Sequence, residues 1–156
     1  MRILVVSDTH GDRYALQQAL WEQPDAKFVF HLGDGARELE TVQADNPDRT
    51  FFGVRGNCDS ELCSLLGNRE ETLGQKRIFF THGHLWSVKF GLTRVVYAAR
   101  EREADILLFG HTHTPLATYE DGLHIVNPGS LGYDKAYATI DIVPGGVMPI
   151  LHKLHM

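Results

Sequence analysis

At 156 residues, 43% hydrophobic and 22% charged, the chain has the size and balance of one globular domain, long enough to bury about 68–70% of its unfolded surface without disulfide staples. A net charge of −5 excludes a broad basic surface that grips long nucleic acid, and leaves a small anionic substrate held by local cations. Cys58 and Cys63 are the only cysteines, which predicts free thiols and a reducing, cytoplasmic setting.

In chain order, residues 2–7 form a short apolar run ending at Ser7-Asp8, the pattern of a buried parallel strand. The run is too short for the core of a signal peptide, and no segment reaches the roughly 20 apolar residues of a membrane span. Asp12 then caps a helix in which Ala15, Leu16, Ala19 and Leu20 recur at helical spacing until Pro24. Residues 28–32 predict a second strand that delivers Gly33-Asp34-Gly35, and 37–44 a second helix closed by Asn46-Pro47. Residues 50–55 predict a third strand that runs into Gly56-Asn57-Cys58-Asp59, so the chain opens as alternating strands and helices with a parallel sheet.

Residues 60–67 read as irregular. Residues 70–73 and 77–81 read as a hairpin around Gly74-Gln75 that ends at His82. A helix over 91–103 precedes a buried strand over 104–109. Segments 116–119, 123–126, 136–143 and 147–151 then read as an antiparallel set. The expected architecture is α/β (α+β in some schemes), a single domain over 1–156 with two packed mixed sheets flanked by helices.

Residues with metal-binding chemistry recur where these strands run out: Asp8-Thr9-His10, Gly33-Asp34, Gly56-Asn57, His82-Gly83-His84 and Gly110-His111-Thr112-His113. Ligands of open α/β sheets sit beyond the carboxyl ends of the strands, and neutral imidazole is the commonest metal ligand. Each cluster alone could be a cap or a turn; their recurrence at one end of successive strands points to one site. Mixed nitrogen and oxygen donors suit manganese, iron, nickel, cobalt or zinc better than calcium or magnesium, which prefer all-oxygen shells; manganese is the ion expected. The donors outnumber the needs of one four-coordinate ion, and a shared carboxylate bridging two cations would use them. His84 reads equally as a substrate contact or a residue outside the site, Asp59 as a cap or a support for the Asn57 loop, and His31 as a hydrogen-bonded core residue. Arg55 could attract phosphate or pair with a carboxylate, and Ser130 reads as a loop support. His124, His152 and His155 receive no role.

In order and spacing, Asp8-x-His10, Gly33-Asp34, Gly56-Asn57, His82 and Gly110-His111-x-His113 resemble the signature of the calcineurin-like metallophosphoesterases. Gly-Asn-Cys-Asp at 56–59, Thr-His-Gly-His at 81–84 and Asn-Pro-Gly-Ser at 127–130 are similar to its small phosphodiesterase branch. The resemblance implies a four-layer fold with two divalent metal ions. Asp8, His10, Asp34 and His113 would hold the first ion, and Asp34, Asn57, His82 and His111 the second. As catalytic candidates on a small phosphodiester the residues themselves offer Asn57, which could help position substrate, and His84, which could help the leaving group. Two such ions activate a bridging water for in-line attack on phosphorus.

Many family members carry His where this chain has Cys58. A neutral thiol is a weak substitute for imidazole in protonating a leaving group, which predicts a preference for esters with acidic leaving groups. Alternatives within enzymes are a phosphomonoesterase or nucleotide pyrophosphohydrolase. Outside enzymes the alternative is a protein-binding scaffold of the same fold, such as the retromer subunit that resembles this branch. Family members often self-associate, so a homodimer or higher homo-oligomer is expected.

Overall fold

A computed structural model describes residues 1–155. Parallel strands β1 (Arg2–Val6), β2 (Ala26–His31) and β3 (Thr50–Gly53) alternate with helices α1 (Arg13–Glu22) and α2 (Ala36–Asp45). Asp12 caps α1 as the sequence predicts, its carboxylate accepting from Ala15 N at 3.0 Å. The hairpin β4 (Asn68–Leu73) and β5 (Lys76–Thr81) begins the second sheet. It continues through α3 (Thr93–Glu101) and β6 (Ile106–Leu108) to β7 (Leu116–Glu120) and β8 (Leu123–Asn127). A short helix α4 (Leu131–Asp134) leads to β9 (Ala136–Val143) and β10 (Gly146–Lys153).

The two sheets have five strands each, in the orders β10-β9-β1-β2-β3 and β4-β5-β6-β8-β7. The late strands therefore do not form one antiparallel set. β8 lies parallel to β6, whereas β9 runs antiparallel beside β1. The chain passes from the second sheet to the first between Asn127 and Ala136, and the partners of β9 in β1 lie more than a hundred residues earlier, which local patterning cannot report.

Strand alternation explains the layering. From β1, Ile3 and Val5 enter the core between the sheets with Phe30, Phe80, Leu108 and Val126, while Leu4 and Val6 face the opposite way onto Leu16 and Leu20 of α1. Both faces are covered, so these strands read as continuous apolar runs. Phe30 and Phe80 meet edge to face across the sheets at 4.8 Å, an arrangement contributing about 0.5–1.5 kcal/mol beyond area burial. On the outer face of the second sheet, Phe79 and Leu107 pack against Val95, Ala98 and Ala99 of α3. Among the described residues, no helix is long and apolar enough to cross a membrane.

Candidate metal centre

The carboxyl ends of β1, β2, β5 and β6 converge at one edge between the sheets. Asp8 follows β1 and is fully buried. Its carboxylate receives Ser7 Oγ and the His111 amide, and its backbone carbonyl accepts from Ser130 Oγ at 2.9 Å. His113 Nε2 lies 3.1 Å from Asp8 Oδ1. His10 Nε2 is buried with no hydrogen-bond partner, 3.4 Å from Asp8 Oδ1 and 3.9 Å from Asp34 Oδ2. On the other side of Asp34, His82 Nε2 stands 3.3 Å from Oδ2 and 3.2 Å from His111 Nδ1.

Donor atoms of Asp8, His10 and His113 lie within 4.8 Å of one another, and so do those of Asp34, His82 and His111. A third trio, His10, Asp34 and Cys58, meets the same 4.8 Å limit, so the thiol stands beside the cluster. Asn57 is exposed at the rim, its amide donating to Cys58 Sγ at 3.6 Å. The His84 ring is 5.4 Å from His82 and 6.1 Å from His111, centroid to centroid, with Nδ1 buried and unpartnered.

These donors are held from behind. The Nδ1 of His82 is 2.7 Å from the Leu32 carbonyl; a carbonyl only accepts, so Nδ1 carries a proton and Nε2 faces Asp34 and His111. His31 is buried in the role expected of it. Its Nδ1 accepts from Gly33 N at 3.1 Å, so Nε2 donates to Thr9 Oγ1 at 3.0 Å, and that hydroxyl passes its own proton to Glu38 at 2.7 Å. Thr9, between Asp8 and His10, is thereby locked to α2.

The Asp34 loop is fastened by Asp59, whose oxygens accept four backbone N–H groups: Asp34, Gly35 and Ala36 at 2.9 Å each and Gly56 at 2.8 Å. A side chain at Gly56 would collide with the Asp34 carboxylate, so only glycine permits this approach. Asn127 fastens the histidine loop, its amide donating to Gly110 O at 3.2 Å and Thr112 Oγ1 at 3.0 Å. Five of the clustered residues adopt left-handed backbone: Asp8, His10, Asp34, His111 and His113, with φ of 54°, 44°, 58°, 69° and 62°. Each costs roughly 1–2 kcal/mol for an L residue, and such strain concentrates where surrounding structure holds functional groups in place.

Electrostatics follow the same geometry. Burial opposes ionisation of Asp34, but hydrogen bonding to His82 and the His82 charge outweigh it and hold the carboxyl well below its ordinary range. Burial likewise opposes charging of His82, yet Asp34 and Asp8 raise its pKa. Burial, then the charges of His82 and Lys89, push His111 down to about 4. Burial and the His82 charge lower His84.

The donor set fits divalent cations on two counts: carboxylates and imidazoles converge at ligand spacing, and the His10 Nε2 lone pair is buried without a partner.

Tyr133 escaped the sequence reading. It stacks on His10 at 4.6 Å and an interplanar angle of 12°, placed by α4, whose cap Ser130 Oγ accepts from Tyr133 N. A four-residue helix carries no periodic signal, although Asn-Pro-Gly-Ser before it marks a turn. Tyr133, His10, Cys58 and Arg37 line a cleft of about 730 Å³ over this cluster. Arg55 is half-buried and its charge is felt by His84.

The calcineurin-like phosphoesterase superfamily domain matches residues 1–144. The chain is 36% identical over 145 residues to the probable metallophosphoesterase YsnB of Bacillus subtilis, covering 89% of this chain and 80% of that one. It is 29% identical over 157 residues to the phosphodiesterase YfcE of Escherichia coli, covering 86% and 82%. A solved predicted phosphoesterase of Streptococcus pneumoniae superposes with a TM-score of 0.75 at 26% identity, covering 97% of each chain. Vps29 of Entamoeba histolytica, solved with zinc, shares the fold at a TM-score of 0.75 and 20% identity, over 99% of this chain and 100% of that one. With a match over nearly its whole length and the family's donor types gathered at one sheet edge, the chain belongs to the calcineurin-like phosphoesterase superfamily.

Proposed function

We propose that the chain, folded as one metallophosphoesterase domain, is a dinuclear metal-dependent phosphodiesterase acting on a small phosphodiester. The observation that carries this reading is the pair of adjacent donor trios, Asp8-His10-His113 and Asp34-His82-His111, with the Asp34 carboxylate facing both His10 and His82. Asp8, His10, Asp34 and His113 would hold one cation and Asp34, Asn57, His82 and His111 the other, with manganese as the expected ion and nickel, iron, cobalt or zinc compatible with mixed nitrogen and oxygen donors. Two cations so held supply Lewis acidity toward phosphoryl oxygens and an activated water nucleophile. The name of YfcE as a phosphodiesterase supports the diester preference.

The chain's own groups orient and restrain. His82, pinned by the Leu32 carbonyl, presents Nε2 without rotating. Asn57 at the rim offers an oxygen to the second cation and an amide to substrate. His84 stands beside His82 and His111 with its Nδ1 unpartnered, where it can donate or accept a hydrogen bond at the phosphoryl group. Stripping metal with a chelator is expected to abolish hydrolysis of bis(p-nitrophenyl) phosphate, and manganese to restore it in preference to hydrolysis of p-nitrophenyl phosphate. Preferential recovery of the monoester would favour a phosphomonoesterase. No turnover with any divalent ion, in a folded protein, would favour the scaffold reading, which the likeness to Vps29 motivates.

Cys58 stands where many relatives carry an imidazole. A Cys58→His variant is expected to raise kcat/KM for an alkyl diester about 10²-fold relative to an aryl diester, the low end of general-acid contributions. An unchanged ratio, measured with matched esters, rejects a leaving-group deficit at this position.

A further inference from the structure

A second cavity, of about 530 Å³, opens beside the histidine loop and differs from the larger cleft in character. Val88, Leu92, Pro115 and Leu116 give it an apolar wall, and Lys89 supplies one cation at its edge. Its volume lies in the range of about 300–1,000 Å³ typical of small-molecule sites, in which apolar walls with a few placed polar groups are the rule.

The cavity is built from the same two loops as the metal cluster. Val88 packs over Gly83, where a side chain on the glycine would come within 2.8 Å of Val88 Cγ2, and Gly83 separates His82 from His84. Thr112, another lining residue, separates His111 from His113. The two loops are joined by the Gly110 amide donating to the His82 carbonyl at 2.9 Å. Lys89 is exposed, and its charge is felt by His111. The apolar chamber thus has a cation at its edge, on loops that also carry His82, His84, His111 and His113, and an anion bearing an apolar substituent would find both partners there. The larger cleft also sets a cation, Arg37, beside an aromatic ring, Tyr133, but Glu38, Glu40 and Asp59 line it with them and would repel an anion there.

The geometry points to a substrate subsite: the cavity takes an apolar ester group of the phosphodiester, of the size of an aromatic ring, while Lys89 meets a phosphoryl oxygen. This rests on the phosphodiesterase reading above and adds the substrate class, an aryl or similarly apolar diester. Burying one such apolar group favours binding, so an aryl diester should bind at least about 10-fold tighter than its methyl counterpart.

The test is binding rather than turnover. Zinc-loaded protein is titrated with diphenyl phosphate and with dimethyl phosphate, and amide chemical shifts are followed. The expected result is a dissociation constant at least about 10-fold lower for the diphenyl ester, with the largest shifts at Lys89, Thr112, Thr114 and Leu116. In Leu116→Arg that preference collapses, and in Lys89→Ala both esters weaken alike. Equal affinities, shifts centred instead on Arg37 and Tyr133, or a preference intact in a folded Leu116→Arg protein would each overturn the subsite. Aryl binding at these residues in a protein that hydrolyses neither diester would leave the subsite standing and reject the phosphodiesterase reading, so the two fail separately.

Discussion

Asp34→Asn is expected to lower hydrolysis of bis(p-nitrophenyl) phosphate by at least about 10³-fold, equivalent to about 4 kcal/mol of barrier, and to abolish tight manganese uptake measured by calorimetry. The substitution keeps the shape of the side chain. An asparagine oxygen can still accept from Cys58 N, which reaches Asp34 Oδ1 at 2.7 Å. What it loses is the charge at Oδ2, the atom 3.3 Å from His82 and 3.9 Å from His10. An amide there presents N–H groups to both imidazoles, and the negative charge that would serve a cation on either side of Asp34 is lost. Far-ultraviolet circular dichroism should show the fold intact. A variant that keeps more than a tenth of the activity would sink the bridging role.

Asp59→Ala is the second large effect, and it acts without touching the cation sites. Four backbone N–H groups lose their acceptor together. Hydrogen bonds to a charged partner contribute roughly 1.5–3 kcal/mol each, but water can reach part of this half-buried cluster, so about 2–4 kcal/mol in total is expected. For a chain of this size that corresponds to a fall in Tm on the order of 10 °C. The Asp34 loop also loses its anchor, which should weaken manganese affinity about 10–100-fold, as loss of a ligand's support does elsewhere. Asparagine should rescue little, because its N–H₂ would face two of the four donors. A Tm within about 1 °C of the parent would show that the loops are held by other means.

The sheets were readable where both faces of a strand are buried, because Leu4-Val5-Val6 and Ile106-Leu107-Leu108 are unbroken apolar runs ending at polar clusters. The hairpin about Gly74-Gln75 was readable from its turn. Three things were not. The division of β7–β8 from β9–β10 between sheets depends on distant pairing. The helix expected over 91–103 is trimmed to Thr93–Glu101, and two single-turn 3₁₀ helices, His84–Trp86 and Val88–Phe90, precede it; turns that short lack a period to detect. Tyr133 reaches His10 through α4, which has the same limitation.

In the site, the donor types and their placement at strand ends were legible, whereas the division of donors between two cations came from the family resemblance. Asp59 was read correctly as a loop support, but its reach to the N–H groups of residues 34–36 was not, since those amides lie 23 to 25 positions earlier.

The clasp between Ser130 and the Asp8 carbonyl joins positions 122 residues apart, and the His113 contact with Asp8 spans 105. A chain emerging from the ribosome therefore completes its first sheet-end loops long before their partners exist, and no N-terminal fragment ending before residue 113 contains the full donor set. Maturation of the centre is a late event of synthesis, set by arrival of the second half of the chain and by the slow closure of non-local contacts.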